Sequence, residues 1–122
     1  MTNIKHHIFA ASALLALAAC ANTVPPRLSD ALTATDQERL DAARHYAFHG
    51  TLSNQAVWSN VTTGLGGTVR ALREFRDPAT GQLCRKLVEN VRSTAGGNDY
   101  RIGTGCQQAD GSLIVTFAGE AE

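Results

Sequence analysis

Leu83-Cys84-Arg85-Lys86-Leu87-Val88-Glu89-Asn90-Val91-Arg92, answered after Gly96-Gly97-Asn98 by Tyr100-Arg101-Ile102-Gly103-Thr104-Gly105-Cys106, is the stretch that decides the fold. Apolar and β-branched residues recur in both runs, and the glycine pair between them is turn chemistry. The two runs therefore read as antiparallel strands near 82–92 and 99–108. If the chain folds about residue 95, position i faces roughly 190 minus i, which places Cys84 opposite Cys106.

The pattern extends in both directions. Asp77-Pro78-Ala79-Thr80-Gly81, with proline early and glycine late, suits a hairpin built on a type I turn, and Asp110-Gly111 punctuates a later one. Two more strands are expected near 67–76 and 112–118, and a fifth at 56–60. Short loops make the set a meander. Residues two apart share a face, which puts Cys84, Val88, Ile102, Val115 and Phe117 on one side and Phe75, Leu83, Leu87, Val91 and Ile114 on the other. Arg73, Arg85, Glu89 and Arg101 among the second set suggest a partly wet surface.

Upstream the period changes to that of a helix. Thr35-Asp36-Gln37-Glu38 fits a capping box, Leu40, Ala43 and Ala47 form an apolar stripe beside Tyr46, and Gly50 stands where a C′ glycine ends a helix. A helix is predicted over about 36–49. One amphipathic helix covers only one face of a sheet, so the other must curl, take up residues 51–66 or meet a partner. The expectation is an α+β domain: one N-terminal amphipathic helix on the cystine side of a curved antiparallel β-meander of four to five strands, stapled by one disulfide.

The N-terminal segment has a different character. Lys5 with His6 and His7 precedes an apolar run from Ile8 to Ala18, followed by Cys20. A run of eleven residues is too short to span a hydrocarbon core that needs roughly 20. Leu17-Ala18-Ala19-Cys20 resembles the lipobox of bacterial lipoproteins, which implies diacylglycerol on the Cys20 sulfur, cleavage before it and acylation of the new N-terminus. Ala21, where an aspartate would favour inner-membrane retention, then implies the outer membrane. Ordinary signal cleavage near Ala19 or Ala21, leaving a soluble periplasmic protein, is the competing reading. The division expected is a signal peptide at 1–19, a lipidated cysteine and flexible tether at 20–34, with Pro25 and Pro26 holding it extended, and a domain at 35–122.

With Cys20 committed to lipid, Cys84 and Cys106 are the two thiols left, and in an oxidising compartment they should bridge. The 103 residues after the signal make one small domain. Eleven Lys/Arg against eleven Asp/Glu leave no net basic excess to recruit nucleic acid.

A second resemblance rests on motifs in series. Trp58-Ser59-Asn60 with Gly64 and Gly67, then Gly81-Gln82-Leu83-Cys84-Arg85, then Gly103-Thr104-Gly105-Cys106 through Asp110-Gly111, is similar to the C-terminal domain of the rickettsial seventeen-kilodalton surface antigen family of proteobacterial outer-membrane lipoproteins. The likeness runs over residues 36 to 117. It departs at Val61, Gln107, Ala109 and Leu113, where the family tends to have proline, arginine, proline and tryptophan. The glycine zipper of many relatives is also missing. The resemblance implies a lipid-anchored envelope domain, with Trp58, Asn60, Gly64, Gly67, Gly81, Arg85, Gly103, Asp110 and Gly111 as its motif positions.

Chemistry is sparse. His45 and His49 stand four apart on the helix, a spacing open to one metal, but no third ligand accompanies them, so no metal or other cofactor is expected. Those two are also the only histidines after the signal, which leaves a serine nucleophile without an obvious base. Glu74, Asp77, Glu89 and Asp110 could supply paired carboxylates, yet Asp77 and Asp110 are accounted for by turns. Gly64-Leu65-Gly66-Gly67 lacks the lysine and strand-to-helix setting of a phosphate loop. Trp58 reads as a core anchor and Arg85 as half of a cross-strand ion pair with an acid. The expectation is a non-enzymatic, lipid-anchored structural or interaction protein of the outer membrane, facing the periplasm or the cell surface. Its partners would be the membrane through Cys20 and an envelope protein, with no nucleic acid and an open oligomeric state. The alternative is a periplasmic enzyme inhibitor of the lysozyme-inhibitor type. The loops at 61–66 and 93–98, nearly devoid of charge, weigh against it.

Overall fold

The computed structural model describes residues 27–118. The signal segment, Cys20 and the tether as far as Pro26 lie outside the described residues. A short 3₁₀ turn, Leu28–Ala31, leads into helix α1, Ala34–His49, and five strands follow: β1 Gln55–Asn60, β2 Leu65–Arg76, β3 Leu83–Ser93, β4 Asn98–Gln107 and β5 Leu113–Phe117. They form one antiparallel sheet in the order β1-β2-β3-β4-β5, the expected meander.

The boundary expected at 35 moves to about 28. Leu28 and Leu32 pack against the core, and Ser29 N–H reaches Asp99 Oδ2 at 3.3 Å, so these residues belong to the domain. The helix cap also moves. The box is formed by Thr33 and Asp36, with Asp36 N–H donating to Thr33 Oγ1 at 3.2 Å and Thr33 N–H to Asp36 Oδ2 at 3.0 Å. Thr35 and Glu38 offer the same spacing, but Asp36 is also reached by β1 and the loop after it, so tertiary contact selects the cap. Gly50 does end α1, through its N–H to Tyr46 O at 2.9 Å, in an extended rather than a left-handed conformation.

The β3–β4 register is the expected one along its whole length, from Cys84↔Cys106 to Arg92↔Asn98, and the disulfide joins those two cysteines. Beyond this hairpin the expected faces need correction. A bulge between Ala71 and Arg73 turns β2 over, so that Phe75 lies opposite Cys84, on the cystine side. In β5, Ile114 stands opposite Cys106, while Val115 and Phe117 stand opposite Gly105 and Gly103 on the other face. Both errors are single-residue slips, and a single slip transfers every side chain beyond it.

The helix likewise lies on the Leu87 and Val91 side, not the cystine side. Leu40, Ala43 and Ala47 of α1 form one buried cluster with Ala56, Trp58, Val69, Ala71, Leu87 and Val91. Charge explains the choice. The cystine side carries Arg70, Arg73, Lys86 and Arg92 in its strands, and a helix laid over it would bury cations without partners, at several kcal/mol each. The Leu87 side also carries charge, and far from being wet it is covered: Glu89 is fully buried beneath α1, where Arg44 supplies its counter-ion.

Candidate functional site

The motif positions do not converge on one cleft; most are occupied in building the fold. Trp58 is only 5% exposed and anchors the core. Its indole N–H has no hydrogen-bond partner among the described residues. Gly67 faces it, and a Cβ there would fall 1.8 Å from Asn90 O, so this strand position admits no side chain. Gly64 and Gly81 sit at φ +71° and +73° in the hairpin turns, and Gly111 at +88°, all in the region that favours glycine. Gly103 lies under the Phe117 ring, where a Cβ would approach to 2.8 Å. Asp110 closes its turn by accepting from Ser112 Oγ at 2.6 Å and Ser112 N–H at 3.0 Å, and these bonds hold its carboxyl below the usual aspartate range.

Arg85 forms the cross-strand ion pair expected of it, with Glu74 at 2.8 Å. It does more. Its Nη1 donates to Ala47 O at 3.1 Å and Gly50 O at 2.6 Å, capping the C-terminal carbonyls of α1, and its guanidinium lies over the Phe48 ring. One side chain thus ties the helix end to two strands.

Two buried polar clusters hold the rest of α1, and neither is legible in local spacing. Asp36 accepts from Thr33 N–H, Thr33 Oγ1, Asn60 Nδ2 at 2.9 Å and Thr63 Oγ1 at 2.7 Å. Burial pushes its carboxyl upward, but the bonds from Thr33, Thr63 and Asn60 outweigh burial and hold it below the ordinary value. Glu89 accepts from Nε and Nη2 of Arg44 together, one carboxylate oxygen each, and from Arg101 Nε at 3.2 Å, and both arginines lie over the Phe117 ring. For Arg44, burial disfavours charge, yet Glu89 and then Asp41 raise its pKa on balance, so it stays protonated.

With these groups committed to the fold, the open face of the sheet is the candidate site. Cross-strand rows run Gln55–Arg70–Val88–Ile102, Val57–Thr68–Asn90–Tyr100 and Phe75–Cys84–Cys106–Ile114. Arg73, Lys86, Thr104 and Thr116 form another, and Ser59, Gly66, Arg92 and Asn98 the last. The strand acids Glu74, Glu89 and Asp99 all lie on the opposite, helix-covered face. Among the described strand residues the open face therefore carries four cations and no carboxylate, although the chain's formal net charge is zero. None of the four pairs with an acid among the described residues. Apolar groups stand beside them on β4 and β5: Tyr100 is 71% exposed, Ile114 55% and Ile102 52%. Where Gly66 leaves its row without a side chain, a hollow of about 480 Å³ opens beside Arg92, Val57 and Val61. A second hollow, of about 650 Å³, lies at the edge between α1 and β1 and is lined by Arg39, Tyr46 and Trp58.

No protein-family model, curated protein or solved structure matches this chain.

His45 and His49 stack with ring centroids 6.1 Å apart, and no group of three metal-ligating side chains occurs among the described residues. Of the open-face cations the sequence reading singled out only Arg73, and placed it on the other side. A signal existed for Lys86 and Arg92: both share the parity of Cys84, so the register already put them with the cystine. Whole-chain charge hid them, because acids on the covered face cancel them in the sum. Arg73 was beyond reach without the bulge.

Proposed function

We propose that this protein is a lipid-anchored outer-membrane envelope protein with a structural or interaction role, of the surface-antigen kind that its motifs resemble. One observation carries most of the reading. Cys84 pairs with Cys106, which leaves Cys20 as the odd cysteine, placed directly after an apolar run and Leu17-Ala18-Ala19. A disulfide fits an exported chain, and a cysteine at that position fits lipid attachment. The motif residues support an interaction role by what they do: they cap, turn and pack, and they leave an exposed sheet face rather than a cleft with paired acid and base.

The test is the modification itself. Mass spectrometry of Cys20 in protein from a bacterial envelope should find diacylglycerol and an amide-linked acyl chain, and Cys20→Ala should move the protein to the aqueous fraction. An unmodified thiol at Cys20 overturns the anchor.

A further inference from the structure

We propose that the open sheet face binds the headgroup layer of an anionic phospholipid bilayer and lays the domain flat on it. Three observations favour this occupant. The first is charge: Arg70, Arg73, Lys86 and Arg92 stand on one face of β2 and β3 with no strand acid among them, so phosphates are attracted to the centre of the sheet. The second is what lies beside the cations, on β4 and β5. Ile102 and Ile114 are exposed aliphatic side chains and Tyr100 an exposed phenol, a composition suited to the boundary of headgroup and acyl chain. A single-stranded nucleic acid would instead call for several exposed aromatic stacking platforms; among the described residues of this face Tyr100 alone is a largely exposed aromatic, and Phe75 is half-buried. The third is reach, which rests on the lipid-anchor reading above. Arg27 starts the described chain beside the β3–β4 turn, where Leu28 packs on Gly97, and the seven Cα-to-Cα steps from Cys20 to Arg27 span at most about 25 Å. Leu28 and Ser29 lie on the helix-covered side of that edge, and so short a tether holds the domain close enough to turn its open face onto the bilayer.

The experiment removes the anchor and keeps the face. Residues 27–118 contain the whole buried cluster and the disulfide, so the chain from residue 20 onward folds without what precedes it. That chain, carrying Cys20→Ala, is sedimented with vesicles of phosphatidylglycerol and phosphatidylcholine, and separately with phosphatidylcholine alone. Binding is expected to the first only, and to weaken about ten-fold or more at ~0.5 M salt, where screening acts within a few ångströms. Arg70→Gln with Lys86→Gln should weaken it about 25-fold, and Ile102→Ser with Ile114→Ser about ten-fold. Arg39→Gln, on the helix side, should leave it unchanged. All these side chains are exposed or half-buried, and the thermal midpoint of each variant checks that it is folded.

Equal sedimentation with both vesicles, no sedimentation with either, or an equal loss in Arg39→Gln overturns the proposal. So does displacement from the vesicles by a short single-stranded oligonucleotide at matched phosphate concentration. Acyl chains on Cys20 together with no binding by the unacylated chain would sink this inference and spare the anchor. Selective binding by the unacylated chain, with Cys20 found as a bare thiol in cells, would sink the anchor and support this inference.

Discussion

Asn60 donates from Nδ2 to Asp36 Oδ1 across 2.9 Å, tying the last residue of β1 to the first turn of α1. The same carboxylate closes the capping box with Thr33 and receives Thr63 from the loop, so one buried group fixes the helix start, an edge strand and a turn together.

Asp36→Ala removes the acceptor for all these donors, leaving Asn60 Nδ2 unsatisfied and Thr63 Oγ1 with only the long contact to Asn60 O at 3.4 Å. The expected cost is about 3 kcal/mol, combining a lost cap with buried unpaired polar groups. Asn60→Ala should cost about 1–2 kcal/mol. Because the two share a bond, the double variant should lose less than the sum. Urea unfolding followed by circular dichroism, with an unchanged m-value, checks both.

Stability should fall in acid through the same residue. The carboxyl of Asp36 is held below the ordinary value in the folded protein, because the bonds from Thr33, Thr63 and Asn60 outweigh the opposing effect of burial. Its contribution is therefore complete above the unfolded aspartate value of about 4 and is lost as pH drops through the lower folded value. Thermal midpoints of the native chain should decline below about pH 4, and Asp36→Asn should flatten that decline. An equal slope in the variant would assign the acid lability to other carboxyls.

Glu89 neutralises two arginines in a space it fully shares with them. Glu89→Gln leaves Arg101 without a counter-charge and Arg44 with only the half-exposed Asp41, the two cations facing each other over the Phe117 ring, and should cost about 3 kcal/mol. Replacing Arg44, Glu89 and Arg101 together by apolar residues of similar volume should restore most of it, since desolvating the ions is itself unfavourable. Chemical denaturation of the single and triple variants decides the matter.

Removing the bridge by Cys84→Ala with Cys106→Ala should lower stability by about 3 kcal/mol, the loop-entropy value for cysteines 22 residues apart. Since β3 and β4 are paired along their whole length, the variant should still fold, with a lower thermal midpoint and near-native circular dichroism.

Residues whose partners are close in sequence were legible. The Cys84–Cys106 pairing, the β3–β4 register, the Gly81 and Gly111 turns and the core stripe Leu40, Ala43 and Ala47 all follow from period and turn chemistry within one hairpin or one helix. Phe75, Ile114, Val115 and Phe117 were misplaced because face assignment propagates along the chain, and a bulge or a one-residue change in loop length reverses everything beyond it. Asp36 reads in sequence as one more acid in a first turn. Its selection as the capping acid depends on Asn60 and Thr63, more than twenty residues away.

Local spacing thus determined which residues become strands, how the central pair aligns and which thiols meet, because those outcomes depend on neighbours a turn apart. The side on which α1 lies was decided only in three dimensions. It depends on where Arg44 delivers a counter-ion to Glu89, and on the bulge at Leu72 that moves Arg73 across to join Arg70, Lys86 and Arg92. Burying a compensated carboxylate is tolerable and burying four uncompensated cations is not, so the helix covers the first face and the second stays open.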